Sequence, residues 1–253
     1  MAQYFTDFSE YQPGVQPHDW TVRWVASMTA VVKEKDIARN GKVFEVTTDS
    51  TQVRRLVSWD KIDFDQNTDQ VEVFFRARIN TSGADIQIQA LTRGGGAIST
   101  ETGYRLGSAF SSNNIGKYVN GTYTELANPD ALHASGTVLN TLAQSHGNTH
   151  RVKVWPEGSV EPVLWSAVAT DPDISLAGWV GLFIFARSNV HDVDVFGVGT
   201  DNDPAPRSRL DESVLYQPQW WAESLATGIP TLSAPGVIDI TATSARPQVT
   251  LTY

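Results

Sequence analysis

The chain has 253 residues, no cysteine, a formal net charge of −9, 10% aromatic residues and only 19% charged ones. The lack of cysteine excludes disulfides, thiolate metal sites and a cysteine nucleophile. The acidic balance argues against a nucleic-acid backbone or an anionic membrane surface as partner, since both need a basic face. Length and composition suit one β-rich core, because sandwiches of about 200 to 250 residues fold as single domains.

The opening MAQYFTDFSEYQPG has neither a basic start nor an apolar run, so no secretory signal is expected. Aromatic-rich segments then flank the turn formers Gln12-Pro13-Gly14 and Pro17-His18-Asp19. Strands are predicted at Lys42 to Val46, Gln52 to Trp59 and Gln70 to Ile79. The last alternates cleanly: Val71, Val73, Phe75, Ala77 and Ile79 share one face, and Glu72, Phe74, Arg76 and Arg78 the other. After a turn at Asn80 to Gly83, Asp85 to Leu91 repeats the pattern with Ile86, Ile88 and Ala90 inward and Gln87 and Gln89 outward.

Thr92 to Ala97 is glycine-rich, but it lacks the Lys-Ser/Thr of a phosphate-binding loop and no helix follows. Tyr104 to Tyr123 continues the β pattern around Ser111 to Asn114 and Asn120-Gly121, the latter a hairpin signal. Asn128 to His146 is expected to be a long loop with one helical turn. Arg151 to Trp155, a turn at Pro156-Glu157-Gly158, and Pro162 to Val168 read as a hairpin. Trp179 to Ala186 and Val190 to Val198, joined through Arg187-Ser188-Asn189, read as the closing strands of an antiparallel sandwich. No apolar run approaches the roughly 20 residues of a membrane helix, so no membrane insertion is expected.

From Asp201 the chain turns polar and proline-bearing, as a linker would. Strand alternation returns at Val237, Asp239 and Thr241 and at Val249, Leu251 and Tyr253. About fifty residues are too few for an independent domain without staples. The expected organisation is a sandwich over 1–203 and an attachment or oligomerisation segment over 204–253, whose last strand could add to a neighbour's sheet edge.

Candidate chemistry is sparse. The Glu-x-Asp-x-x-Glu run of jelly-roll glycoside hydrolases is absent. No Gly-x-Ser-x-Gly elbow supports a serine triad. His146 and His150 are four apart, but an intervening Gly147-Asn148-Thr149 makes a helical zinc pair improbable and leaves two loop histidines. Asp63, Asp65, Asn67 and Asp69 mimic the start of a calcium loop, without its glycine or closing glutamate. Asp7 and Glu10 near the start, with Asp192 and Asp194 near the sandwich's end, are the better candidates for a structural calcium ion joining the termini. For sugar binding, aromatic faces stack on pyranose rings while planar polar groups bond hydroxyls. The candidate face is Phe74, Arg76, Arg78, Gln87 and Gln89, with Trp59 or Tyr104 nearby.

Val154-Trp155-Pro156, Gly158, Glu161-Pro162 and Trp165, then Gly178, Val180, Gly181 and Leu182, and the exit strand VHDVDVFGVGT, resemble the concanavalin A-like (LamG-like) jelly-roll domains. DFSEYQPGVQPHDWTVRW resembles that group's first strand region. The resemblance implies an all-β antiparallel jelly-roll sandwich. It also implies a binding or architectural role, since such domains occur in bacterial surface proteins and in particles of tailed phages. TLSAPGVIDITATSARPQVTLTY looks like segments of phage fibre and tail-associated proteins. The expected function is thus a non-enzymatic virion component, a fibre, spike or decoration protein made in a bacterial host's cytoplasm. It would form a homo-oligomer, contact other virion proteins through residues 204–253 and recognise host cell-surface glycan. A glycan-cleaving jelly-roll enzyme and a purely architectural protein are the alternatives.

Overall fold

The computed structural model describes residues 2–24, 28–50, 53–60, 70–79, 87–97, 99–109, 112–129, 133–186, 188–209, 231–234, 237–240 and 249–252. Strands are numbered along the chain. The larger sheet runs β13 (Ala167–Thr170), β12 (Thr149–Pro156), β11 (Val138–His146), β6 (Gln70–Ile79), β15 (Val190–Thr200), β4 (Lys42–Thr48) and β3 (Met28–Glu34). An eighth strand, β1 (Ala2–Thr6), also pairs β15. The second sheet has seven strands in the order β10 (Thr122–Ala127), β9 (Ser112–Val119), β8 (Thr102–Ala109), β7 (Gln87–Gly95), β14 (Trp179–Ala186), β5 (Val53–Trp59) and β2 (Trp20–Trp24). Every pairing is antiparallel, and the two sheets make the expected jelly-roll sandwich.

The inner faces supply the core because period-two alternation places every second side chain there. Val71, Val73, Phe75 and Ala77 point inward as read from sequence, against Ile88 and Ala90 of β7 and Val180, Leu182 and Ile184 of β14. At the centre Trp20 lies flat on Trp59, with centroids 5.6 Å apart, and is ringed by Phe8, Phe44 and Phe196. The largest side chains thus interlock where the two sheets face each other, which fixes the sandwich's spacing.

Alternation reports which face a residue takes, not which strand it pairs with. β6 and β7, similar in pattern and adjacent in sequence, lie in opposite sheets, as do β14 and β15. Asn128 to His146 is not a long loop, since β11 occupies a central place between β6 and β12. Its alternation is masked because Thr141 and Ser145 share the inward face with Leu139 and Ala143, while Asn140 and Gln144 share the outward face with Leu142. The return strand after Pro156 starts later than expected, at Ala167. Asn120 and Gly121 form the β9–β10 hairpin with φ of 48° and 78°, the two left-handed residues a type I′ turn requires.

β1 pairs β15 from Ala2↔Thr200 to Thr6↔Phe196, so the sandwich's first and last strands lie side by side. The chain then folds back. Residues 203–206 cross the outer face of β15 where Gly197 and Gly199 leave room, since an added Cβ at either would meet the backbone of Pro206 or Asp203. Ala205 N–H donates to Glu72 at 3.0 Å, and Gln3 Nε2 donates to the Pro204 carbonyl at 2.7 Å. Residues 204–209, at the head of the expected linker, therefore pack on the sandwich, and the first compact unit runs from Met1 to Arg209. The second, Leu210–Tyr253, holds a sheet of β16 (Thr231–Ala234), β17 (Val237–Ile240) and β18 (Val249–Thr252).

Candidate functional site

The residues read as one sugar-binding face are divided among three environments. Phe74, Arg76 and Arg78 lie outward on β6, on the larger sheet. Gln87 and Gln89 lie outward on β7, on the seven-stranded sheet at the opposite side of the sandwich. Trp59 and Tyr104 point into the core between them. Trp59 is stacked on Trp20 and donates Nε1–H to Asp19. Tyr104 stacks on His150 and donates its hydroxyl to Asp171 at 2.7 Å. Two sheets facing a shared core cannot present one outer surface, so this set forms no single site.

The larger sheet's outer face is closed by its own partners. Phe74 is covered by Leu142, Trp155, Val195 and Ala205, with the Arg207 guanidinium over its ring. Arg76 pairs with Asp194 and Glu157, and Arg78 with Asp192 at 3.0 Å. The carboxylates assigned to calcium are matched by cations there. Asp7 accepts a two-pronged pair from Arg209, Glu10 meets the same guanidinium, Asp192 also meets Lys35, and Asp194 accepts the Arg39 amide. Burial would raise the Asp7 pKa, but the bonds from Arg209 and Ser9 outweigh it and hold the carboxyl at about 2. Among the described residues no three His, Cys, Asp or Glu converge as metal ligands. Asp63, Asp65, Asn67 and Asp69 lie outside the described residues.

His146 and His150 are strand residues rather than loop ones, on either side of the Gly147-Asn148 turn. His150 is fully buried, bonded to Ser145 Oγ and the Asp171 carbonyl. Asp171 in turn takes Lys117 Nζ at 2.5 Å, so this polar cluster is internally satisfied. The glycine-rich Thr92 to Ala97 run ends β7, where Arg93 donates to the Ile174 and Gly147 carbonyls.

The outer face of the seven-stranded sheet is different. Trp24 of β2 and Tyr118 of β9 stand five strand steps apart, about 24 Å in a flat sheet at 4.8 Å per step. Their ring centroids are 6.1 Å apart, so the sheet curls and this face is concave. Arg54 of β5 likewise reaches the Gly121 carbonyl in the β9–β10 turn at 2.8 Å. The concave side is filled by the buried cluster Trp24, Leu56, Leu91, Tyr118 and Phe183, with Trp179 and Phe185 half-buried beside them. Tyr123 on β10 is 37% exposed. Its ring lies over Gly116, where an added Cβ would sit 2.5 Å from Cε2.

Planar polar groups line the same concavity. Arg23 lies 4.6 Å over the Trp179 ring and pairs with Asp60 at 2.6 Å; Arg54 pairs with Glu101. Arg105 packs over Tyr118, Tyr123 and Phe183. Gln89 donates to the Gly107 and Asn114 carbonyls, and Asn114 donates to Glu125. Among the described residues, Trp24 Nε1, Gln89 Oε1 and Arg105 Nε are buried here without a hydrogen-bond partner. Of the residues read from sequence, Gln87 and Gln89 belong to this face. The others were hidden because strand order, which sequence does not display, brings them together.

No family model and no curated protein sequence matches the chain. Solved structures share its fold. Lectin II from Ulex europaeus aligns with TM-score 0.52 at 11% identity, over 79% of this chain and 98% of that one. Arcelin-5, a lectin-like defence protein from Phaseolus vulgaris, aligns with TM-score 0.50 at 12% identity, over 79% and 98%. A protein of unknown function from Shewanella oneidensis aligns with TM-score 0.54 at 10% identity, over 78% and 85%. At such identities the likeness establishes the lectin-like jelly-roll fold.

Proposed function

We propose that this chain is a non-enzymatic glycan-binding protein whose sugar site is the concave outer face of the seven-stranded sheet. The observation that carries the reading is that one concave face joins exposed Tyr123 and half-buried Trp179 to the partly exposed Arg23, Arg54 and Gln87. Pyranose rings present apolar C–H faces and hydroxyl edges together, which is what such a lining complements. Trp24 Nε1 and Gln89 Oε1 lie buried beneath that face, without a hydrogen-bond partner among the described residues.

Its carboxylates among the described residues do not suit hydrolysis, which needs a carboxyl held protonated beside a second, ionised one. Burial would raise the Asp60 pKa, but Thr21, Ser58 and Arg23 outweigh it and hold this carboxyl below the ordinary range. Glu101 is already engaged by Arg54, and Glu125 by Asn114 and Asn128. The carboxyls pushed up by burial, Glu72 and Asp194, lie on the other sheet's outer face.

The finer setting we assign is a phage or phage-like particle, with residues 204–253 contacting other virion proteins in a homo-oligomer. Its support is the sequence resemblance given above, and the mass of the native assembly tests it. The binding reading is tested by a glycan array followed by titration calorimetry on wild type, Tyr123→Ala and Trp179→Ala. A glycan that binds wild type and is weakened about tenfold or more by each substitution supports the site. Binding untouched by both substitutions, or absent across the array, overturns it.

A further inference from the structure

The arginines of the concave face are not equivalent. Arg23 is neutralised by Asp60 and Arg54 by Glu101. Arg105, on β8 beside the central strand β7, is 5% exposed, and among the described residues no Asp or Glu lies within ion-pair distance of it. Its one hydrogen bond runs from Nη1 to Gln87 Oε1 at 2.5 Å, and its Nε is buried without a partner. The rest of its environment is aromatic, with the guanidinium carbon 4.0 Å from the Tyr123 centroid, 5.2 Å from Phe183 and 5.8 Å from Tyr118.

Ring faces offer a cation partial compensation for lost water, but a buried charge is stable only when paired and hydrogen-bonded. A guanidinium held against three rings, with an unused Nε donor and no counter-ion among the described residues, is arranged to receive an anion. Gln87 fixes its orientation from one side, and Tyr123, the exposed aromatic, adjoins it from the other. An acidic sugar presents both halves of this site at once, a ring for Tyr123 and a carboxylate for Arg105.

We infer that the concave face is selective for glycans containing a carboxylated sugar, a uronic acid, with Arg105 as the carboxylate receptor. This rests on the glycan-binding reading and adds the substrate class to it. The chain's net charge of −9 repels a polyanion at a distance, so selectivity arises from this contact rather than from long-range attraction.

The test is calorimetric titration of the full chain with oligogalacturonate, oligoalginate and hyaluronan fragments, each beside its carboxyl-reduced neutral counterpart. The expected result is that at least one acidic member binds about tenfold or more tighter than its reduced form. In R105Q that preference falls to about twofold or less. R105K, which keeps the charge and loses the planar fork, is expected to lose most of the preference as well, and it carries the test if near-ultraviolet circular dichroism finds R105Q unfolded. Equal affinity for acidic and neutral forms in wild type, or a preference that survives both substitutions, overturns the inference and leaves the sugar site standing. Absence of binding to every acidic and neutral glycan, here and on the array, overturns the glycan-binding reading itself.

Discussion

Two histidines in the sandwich are buried as neutral rings, and their effect on stability can be worked out. His150 and His191 are both fully buried, and burial lowers each pKa to about 4 from an ordinary 6.5. Around His150, Arg93 and Lys117 add to the depression while Asp171 opposes it; around His191, Arg55 adds and Asp192 opposes. Above pH 6.5 neither state binds a proton, so there is no cost. Below it the unfolded chain takes up a proton that the folded one refuses, so stability falls as pH drops, until about pH 4. From pH 7.0 to 5.5 the loss is about 1 kcal/mol per histidine, or about 2 to 3 kcal/mol for the pair. Carboxyls with depressed values give up stability only below their own unfolded range. Glu72 and Asp194, whose values are raised, bind protons sooner when folded and work in the opposite direction. Urea unfolding followed by tryptophan fluorescence should therefore show the midpoint falling by about 1 M between those pH values. His191→Leu should roughly halve the drop. At pH 7 it should also cost little, because both ring nitrogens of His191 are buried without a partner and their removal relieves that penalty. A midpoint that does not move with pH, or a slope unchanged in His191→Leu, would refute the burial reasoning.

Two substitutions of glycine probe the site and the fold-back segment. Gly116→Ala places a methyl against the Tyr123 ring, so glycan affinity should fall about as far as in Tyr123→Ala while the urea midpoint shifts by less than about 1 kcal/mol equivalent; unchanged affinity would remove Tyr123 from the site. Gly197→Val drives a side chain into the Pro206 carbonyl and should free residues 203–209, so trypsin should cut after Arg207 and Arg209 about fivefold faster or more. A cleavage rate equal to wild type would mean the segment is not held by that contact.

The fold was legible because its evidence is local. β6 declares its faces in five alternating residues, and Asn120-Gly121 declares its hairpin through a backbone conformation few other pairs adopt. Between Trp155 and Trp165 the two tryptophans pack on the larger sheet's outer face, while Val160, Val163 and Leu164 are exposed. Trp165 sits against the Arg151 and Lys153 side chains, and Glu161 is shared by Lys153 and Arg207, so these residues brace the β12–β13 loop and the returning segment. β11 escaped because alternation is visible only when the two faces differ in polarity, and each of its faces mixes apolar with polar residues. Those outward polar residues are needed: Gln144 serves Glu72 and Asn140 serves Glu157 on a crowded outer surface.

The site was less legible for a different reason. An outward-facing residue is visible in sequence, but its neighbours are set by strand order and by curl. Gln89 was placed correctly outward, yet its companions Trp24 and Tyr118 come from strands about 65 residues before it and 29 after it, and they meet only because the sheet bends. Grouping Gln87 and Gln89 with Arg76 and Arg78 assumed that consecutive strands share a sheet. Here the chain crosses the sandwich between them, so the same alternation lands on opposite surfaces. The consequence is a division of labour between the two outer faces. On the larger sheet Arg76, Arg78, Arg207 and Arg209 are each ion-paired with a carboxylate, and residues 203–206 cross the outer side of β15. On the concave sheet Arg105 has no counter-ion among the described residues, and the Gln89 amide oxygen and Trp24 indole N–H are buried without a hydrogen-bond partner. Buried atoms without a hydrogen-bond partner occur on both outer faces, Arg76 Nε and Arg78 Nε among them, so what distinguishes the concave face is an arginine with no carboxylate in ion-pair reach among the described residues.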